Sequence, residues 1–142
     1  MGRPAKDFEF AIKNDLAEID ILGGELLEFC RDNGVADDVY YDIRLALEEA
    51  ISNTIKYGYE DQHVHEIRVR AGLENQALFV EIEDDSKSFN PLEAPDPNIS
   101  LPVEEKLIGG LGIYLLRAVM DRVEYRTSGA TNILRMTKSI RN

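Results

Sequence analysis

With 142 residues, 44% of them hydrophobic and 30% charged, the chain has the composition of a single globular domain. Its formal net charge of -11 argues against binding to a nucleic-acid backbone, which needs lysine and arginine to neutralise phosphates. Cys30 is the only cysteine, so an internal disulfide is excluded, and no apolar run reaches membrane-spanning length. We therefore expect a cytoplasmic protein that binds no membrane.

The first part of the chain predicts a strand and then a helix. Residues 7–12 alternate between polar and apolar, which is typical of a strand. Apolar residues then keep helical spacing from Leu16 to Phe29, and Asn33-Gly34 is a plausible helix end. The Gly23-Gly24 pair inside this helix indicates either a kink or the close approach of another backbone.

The second predicted helix starts near Asp37 and ends at Gly58. One side of it is an apolar stripe made of Ile43, Leu47, Ala50, Ile51 and Thr54. On another side Glu49, Asn53 and Lys56 follow at steps of four and three residues, so a carboxylate, a carboxamide and an ammonium are stacked. Most polar helix faces are simply solvated, and only the rest of the chain gives this one a second interpretation.

A polar loop and a hairpin come next. His63 and His65 are spaced as two metal ligands can be, but no third ligand accompanies them, so we favour exposed loop or strand-edge positions. Residues 66–73 and 77–84 alternate between apolar and polar on either side of Glu74-Asn75-Gln76. This pattern predicts a hairpin, and its second strand ends in the carboxylate pair Asp84-Asp85.

Proline and then glycine mark the following segment. Four of the five prolines lie between Pro91 and Pro102, which predicts a long loop, either a functional lid or a plain surface loop. Gly109-Gly110-Leu111-Gly112 then leads into an apolar helix over residues 113–120. Glycines before a helix let backbone N–H groups face an anion, although a flexible hinge is the alternative.

Residues 123–127 and 132–137 predict a last hairpin. The order of elements is strand, helix, helix, two strands, loop, helix, two strands. It predicts an α+β fold: a two-layer α/β sandwich in which three helices cover one face of a mixed, mostly antiparallel sheet of about five strands. We expect residues 1–142 to form one domain.

Three blocks in this order carry a family resemblance: Glu49-x-x-x-Asn53 on a helix, Asp84-Asp85 at a strand end, and Gly109-Gly110-Leu111-Gly112 at a helix start. The set resembles the GHKL ATPases, which share the Bergerat ATP-binding fold, and most closely the bacterial anti-sigma-factor serine/threonine kinases. Residues 45–59 are similar to the family's N-box, while Phe89-Asn90-Pro91 and residues 108–113 are similar to its second and third boxes. The likeness spans nearly the whole chain.

The resemblance implies roles for the polar face of the second helix. Asn53 would place its side-chain oxygen on Mg²⁺, which bridges the phosphates of ATP. Glu49 would be the general base for the attacking hydroxyl, a role that suits phosphoryl transfer, where one residue orients the nucleophile. Lys56 would approach a phosphate or remain a solvated residue.

The resemblance also implies the remaining nucleotide contacts. Asp84 would accept a hydrogen bond from the adenine amino group. Asp85 is the alternative candidate for this role, but the choice of Asp84 leaves Phe89-Asn90-Pro91 in the family's usual place. Ser86 stands where the family usually has glycine, and we expect it to narrow the pocket or shift the loop. The phosphate-binding segment would comprise Gly109, Gly110, Leu111 and Gly112.

By resemblance, the chain is expected to be an ATP- and Mg²⁺-dependent serine/threonine kinase that binds a sigma factor or phosphorylates an anti-sigma-factor antagonist, and that forms a homodimer. The alternative is a nucleotide-gated binding module without phosphotransfer, which Ser86 keeps open and which intact Glu49 and Asn53 oppose. A plain ATPase is a third interpretation. A histidine kinase is disfavoured, because neither His63 nor His65 lies in a separate dimerisation helix.

Overall fold

The computed structural model describes residues 7–87 and 110–140, with side chains from residue 115 onward in the second range. Within these ranges the elements are β1 (Asp7–Lys13), α1 (Glu18–Asp32), α2 (Asp37–Tyr57), β2 (Glu66–Glu74), β3 (Ala77–Asp84), α3 (Gly110–Val119), β4 (Arg122–Ser128) and β5 (Thr131–Ser139). The predicted proline-rich loop, Phe89-Asn90-Pro91 and Gly109 lie outside the described residues. No helix in the described ranges combines the length and the apolar character needed to cross a membrane.

The five strands form one sheet in the order β1-β2-β3-β5-β4, and every neighbouring pair is antiparallel. The α+β prediction is therefore confirmed, with a fully antiparallel sheet in place of a mixed one. The last hairpin inserts β5 between β3 and β4, and Asp84 is then the direct register partner of Asn132. Two polar residues that are 48 positions apart thus meet at one end of the sheet.

The predicted hairpin of β2 and β3 is present, with a tighter turn than expected. Glu74 still pairs with Ala77, so only Asn75 and Gln76 form the turn. Both have positive φ, 53° and 62°, as the central residues of a type I′ turn require. This turn matches the right-handed twist of the strands and fixes the register that brings Asp84 to the sheet end.

The core lies between the helices and one face of the sheet. Alternate residues of β2 and β3 are buried there, and the predicted apolar stripe of α2 packs on them. The buried set on these three elements includes Ile43, Leu47, Ala50, Ile51, Ile67, Val69, Ala71, Leu78, Val80 and Ile82. Cys30 belongs to the same core, and burial raises the pKa of its thiol to about 11, so it behaves as a small hydrophobic residue.

Helix α1 runs through Gly23-Gly24 without ending and stops before Gly34, whose φ is 74°. The close approach predicted at Gly23 exists, but it involves a side chain and not a backbone. A Cβ atom on Gly23 would lie 2.5 Å from Cζ of Arg44, and the Tyr40 hydroxyl donates to the Gly23 carbonyl at 2.7 Å. The glycine therefore lets the Arg44 guanidinium lie between α1 and α2.

The outer face of the sheet is covered by charged side chains. Glu81 is only 5% exposed and accepts from Arg70 at 3.2 Å and from Arg135 at 2.9 Å. The Arg135 guanidinium also lies 4.1 Å from the centre of the Phe79 ring, and the same ring packs against Gly72. Arginine thus covers an aromatic ring on a face over which the described residues place no helix.

Candidate functional site

A cavity of about 460 Å³ opens beside the C-terminal half of α2 and the end of β3. Its volume falls within the range of sites that bind small molecules. The described residues that line it are Ala50, Asn53, Thr54, Lys56, Tyr57, Gly58, Ile82, Asp84, Ser86, Lys87, Tyr125, Asn132 and Leu134. The cavity therefore brings together Asn53, Lys56, Asp84 and Ser86, four of the residues singled out from the sequence.

The polar face of α2 forms one side of this cavity. Asn53 is half-buried and Lys56 is exposed, while half-buried Glu49 lies one helical turn before Asn53 and outside the lining residues. Among the described residues, none hydrogen-bonds or ion-pairs with the side chains of these three. A carboxylate, a carboxamide and an ammonium are thus available to a ligand from one helix face.

Asp84 is a buried carboxylate that is held through one oxygen. Its Oδ1 accepts hydrogen bonds from the Ser86 backbone N–H at 3.0 Å, from the Ser86 hydroxyl, and from Asn132 Nδ2 at 3.1 Å. Within the described ranges no donor reaches Oδ2. The arrangement leaves Oδ2 as an acceptor for a donor in the cavity, such as an exocyclic amino group.

Asn132 and Tyr125 complete this network, and sequence reasoning missed both. The Tyr125 hydroxyl donates to Asn132 Oδ1 at 2.7 Å, while Asn132 Nδ2 donates to Asp84 and, at 2.8 Å, to the Ser86 carbonyl. Since the Asp84 carboxylate and the Ser86 carbonyl only accept hydrogen bonds, the amide nitrogen of Asn132 must face them, and its oxygen then faces the Tyr125 hydroxyl. The one available signal was an asparagine on the same face of its strand as Leu134 and Met136.

Ser86 also packs against the end of α2. The N–H of the next residue, Lys87, donates to the Gly58 carbonyl at 2.8 Å. The serine side chain is turned toward both Gly58 and Asp84. The serine side chain therefore forms a hydrogen bond with Asp84 and a close contact with Gly58 beside the cavity, and a narrower pocket or a shifted loop stays a prediction.

Four residues form a cluster directly behind the Asp84–Ser86 turn: Tyr59, Asp61, His65 and Asp85. The His65 ring stacks on Tyr59 with centroids 4.1 Å apart, and its nitrogens lie 2.7 Å from Asp61 and 3.1 Å from Asp85. His65 is thus well covered at the start of β2, whereas His63 is exposed as predicted. No group of three or more potential metal-binding side chains occurs in the described part of the chain.

The cluster raises the pKa values of two of its titratable groups, His65 and Tyr59. The hydrogen bond to Asp61 raises the pKa of His65 above its ordinary value, with a further contribution from Asp85. Burial, followed by the charges of Asp84 and Asp85, raises the pKa of Tyr59. The Tyr59 hydroxyl is buried and makes no hydrogen bond with a described residue.

Gly110 and Gly112, which were predicted to precede the third helix, lie within its first turn, and Gly109 lies outside the described residues. Helix α3 begins at Gly110, so Leu111 and Gly112 are already helical. The first N–H groups of a helix have no acceptor within the helix and carry partial positive charge. Further along α3, Leu116 is fully buried in the core.

Comparison with known proteins gives this site a family context. Residues 12–138 match the model of the histidine kinase-like ATPase domain. The chain belongs to this family.

Individual relatives place the chain within this ATPase family more narrowly. It is 30% identical over 109 residues to a serine-protein kinase RsbW of Bacillus velezensis, covering 74% of this chain and 68% of the relative. It is 32% identical over 101 residues to an anti-sigma F factor of Thermoanaerobacter sp., covering 70% of this chain and 69% of the relative. The predicted membership of the anti-sigma-factor kinases among the GHKL ATPases is thereby confirmed.

A solved structure supports the fold of this ATPase domain. The chain superposes on a structure of the RsbU and RsbW domains of a Mycobacterium tuberculosis protein with a TM-score of 0.69. The match covers 96% of this chain and 33% of that longer chain, at 14% identity. The Bergerat-type architecture expected from the sequence is therefore present, and family membership implies the use of ATP.

Proposed function

We propose that the chain is an ATP-dependent protein serine/threonine kinase that acts as an anti-sigma factor. It binds a sigma factor and phosphorylates an anti-sigma-factor antagonist on a hydroxyl side chain, and it works in the cytoplasm as a homodimer. The observation that carries the proposal is that Asn53, whose side chain has no partner among the described residues, lines one cavity with Lys56 and with Asp84, whose carboxylate is held by hydrogen bonds. The names of the relatives support the same reading.

In this proposal the end of the sheet recognises the base. Asp84 Oδ2 accepts from the exocyclic amino group of adenine, while Asn132 and Tyr125 keep the carboxylate in position through Oδ1. Apolar residues of α2 and the sheet, Ala50, Ile82 and Leu134, provide the surface on which the flat base packs. The N-terminal turn of α3, with Gly110, Leu111, Gly112 and the preceding Gly109, offers backbone N–H groups to the phosphates.

The donor set suits Mg²⁺. The carboxamide oxygen of Asn53 is a hard ligand in a half-buried position, and it is not used by any described residue. One protein oxygen accords with the preference of Mg²⁺ for few protein ligands beside phosphate oxygens and water. When bound there, Mg²⁺ neutralises charge on the phosphates. Lys56, exposed at the same wall, adds a second positive charge for them.

Glu49 is proposed as the general base. It lies one turn before Asn53 on the same face of α2, and its carboxylate has no partner among the described residues. A carboxylate in this position accepts the proton of the attacking serine or threonine hydroxyl as its oxygen bonds to the γ-phosphorus, while the bond from that phosphorus to the bridging oxygen breaks and ADP leaves. A module that only binds nucleotide has no need for this group.

Thermal unfolding with and without Mg-ATP and Mg-ADP tests the binding part of the proposal. A ligand at about 100 times its dissociation constant adds about 2.7 kcal/mol of stability, which for a chain of this size raises the melting temperature by roughly 5–15 °C. Asn53→Ala is expected to lose most of this rise. Gln62→Ala, which removes an exposed carboxamide away from the cavity, is the matched control and should keep it.

An absence of any rise for wild type with either nucleotide at millimolar concentration would overturn the proposal. The nucleotide-gated module is the second candidate, and the Ser86 hydroxyl favours it, because this group occupies one oxygen of Asp84. Transfer of the γ-phosphate of labelled ATP to an antagonist protein from the same genome separates the kinase from this module. Phosphate release without any partner would instead indicate a plain ATPase.

A further inference from the structure

We propose that His65 is a positioning residue for the nucleotide cavity: by bridging Asp61 and Asp85 it holds the segment after α2 against the end of β3. The inference rests on the proposed nucleotide binding, since its consequence is a change in nucleotide affinity. His65 itself is not among the residues that line the cavity.

The contacts define the protonation state of the bridge. Nε2 of His65 lies 2.7 Å from Asp61 Oδ1, and Nδ1 lies 3.1 Å from Asp85 Oδ1. An ionised carboxylate only accepts hydrogen bonds, so both ring nitrogens must carry a proton for both contacts to be favourable. The geometry therefore fits an imidazolium ion, and a neutral ring satisfies only one of the two carboxylates.

The bridge joins two walls of the cavity. Asp85 lies between Asp84 and Ser86, which line one wall. Tyr59, on which the imidazole stacks with an interplanar angle of 16°, directly follows Gly58 of the other wall. Closing the bridge thus brings the end of α2 and the end of β3 together, beside the hydrogen bond from Lys87 N to the Gly58 carbonyl.

The bridge is also anchored to the sheet. The His65 backbone N–H donates to Asn14 Oδ1 at 2.9 Å, and the Asn14 N–H donates to the His65 carbonyl at 3.0 Å. These bonds fix the backbone of His65 at the start of β2, next to the end of β1. The imidazole that contacts Asp85 is therefore attached to backbone that is itself held in place by hydrogen bonds.

A pH dependence follows from these contacts. The titratable groups around the ring are Asp61 from the loop, Asp85 after β3 and Tyr59, and Asn14 is the neutral neighbour at the end of β1. When the imidazolium loses a proton, one carboxylate loses its donor and the bridge opens. We expect the affinity for Mg-ADP to fall as pH rises through the elevated pKa of His65.

The test is calorimetric titration of Mg-ADP into wild type, His65→Gln and His63→Gln between about pH 5.5 and about pH 8.5, a range that brackets the ordinary histidine pKa. His63 and His65 are the only histidines of the chain, so His63→Gln is a matched control. The phosphates of ADP titrate in the same range, and the variants are therefore compared at each pH. At low pH we expect His65→Gln to bind roughly three- to tenfold more weakly than His63→Gln, because one unit of pKa change on binding corresponds to a tenfold change in affinity.

A further variant separates positioning from simple charge. Asp85→Ala removes a negative charge near an anionic ligand, so a purely electrostatic effect predicts tighter binding, whereas loss of the bridge predicts weaker binding. Because variants can fail to fold, an NMR titration of wild type provides a second measurement: the His65 ring should titrate above the ordinary histidine pKa, and at still higher pH with Mg-ADP bound. Identical pH profiles for the two glutamine variants, or a pKa of His65 that does not change when Mg-ADP binds, would overturn this inference alone. Failure of every variant and of wild type to bind Mg-ADP would overturn the proposed function as well.

Discussion

A Cβ atom on Gly58 would lie 2.8 Å from the Cβ of Ser86 and 2.6 Å from the carbonyl oxygen of Thr54. The end of α2 and the turn after β3 are therefore in contact at a place where only glycine fits on the helix side. This contact borders the proposed nucleotide cavity.

Gly58→Ala should consequently push the Ser86 turn away from α2. We expect a loss of about 1–3 kcal/mol in the free energy of unfolding, typical of overpacking, together with weaker binding of Mg-ADP. Gly24→Ala is the control, because a Cβ atom there meets nothing within 4 Å and alanine favours a helix interior by about 0.5–1 kcal/mol. Chemical unfolding of both variants measures the change in the free energy of unfolding. A Gly58→Ala protein as stable as wild type would show that the Ser86 turn can move away from α2 at little cost in free energy.

Ser86→Gly restores the residue that the family usually has at this position. It removes the hydroxyl that donates to Asp84 Oδ1 and relieves the contact with Gly58. We expect Mg-ADP to bind more tightly, and the free energy of unfolding to fall by about 1 kcal/mol through the lost hydrogen bond and the added chain entropy. Calorimetry and urea unfolding on the same sample measure both changes. Weaker binding would mean that the serine hydroxyl supports the pocket.

Tyr125→Phe tests whether the orientation of Asn132 matters. The variant removes the hydroxyl that donates to Asn132 Oδ1, so the carboxamide that donates to Asp84 is held less firmly. We expect a loss of about 1 kcal/mol in stability and several-fold weaker nucleotide binding. Tyr41→Phe, at a ring that is 60% exposed, should change neither quantity.

Glu49→Gln separates a kinase from a nucleotide-gated module. The substitution keeps the shape of the side chain and removes its ability to accept a proton, so phosphotransfer to an antagonist should drop by roughly 10²- to 10⁴-fold while Mg-ADP affinity stays unchanged. Glu48→Gln is the control on the same helix, since the Glu48 carboxylate is paired with Arg44 at 3.1 Å and not with the cavity. Equal transfer rates for the two variants would remove Glu49 from the reaction.

The His65 bridge predicts a pH window for stability. Its hydrogen bond to Asp61 raises the pKa of His65 above 6.5 in the folded chain, so the stabilisation is complete below that value and is lost as pH rises through the folded pKa. The same hydrogen bond lowers the pKa of Asp61 below 3.8, so its contribution is lost as pH falls through that lower value. Urea midpoints of wild type and His65→Gln should differ most near about pH 5 and converge in mild alkali. His63→Gln should follow wild type throughout.

Local patterns were enough to predict the elements and to single out four of the residues that line the cavity. The alternation of β2 and β3, the stripe of α2 and the stop at Gly34 are encoded within a few residues of sequence, and so are the spacings that single out Asn53 and Asp84. The roles proposed for Glu49, Asn53 and Asp84 remain predictions. Gly110, Leu111 and Gly112 begin α3 instead of preceding it, and their role in phosphate binding stays a prediction.

The remaining features of the fold and of the cavity could not be predicted, because they depend on contacts between residues that are distant in the chain. Asn132 meets Asp84 only because β5 inserts beside β3, and no pattern within β5 indicates that neighbour. His65 was expected at an exposed loop or strand edge because a two-residue histidine spacing says nothing about Asp85, 20 positions later. The contact between Gly23 and Arg44 could not be predicted either, because it depends on how α1 packs against α2 and not on the periodicity of either helix.

Arg70 and Arg135 on the outer face of the sheet affect how the protein self-associates in concentrated salt. Phe79 is covered by Arg135, which is held in place by Glu81 and, at the rim, by Glu74 at 3.3 Å. Screening weakens exposed ion pairs such as the one with Glu74, and every weakened pair leaves the aromatic ring less covered. We therefore expect self-association through this face to increase as ionic strength rises. Salt ordinarily weakens contacts between charged surfaces, so this is the opposite of its usual effect.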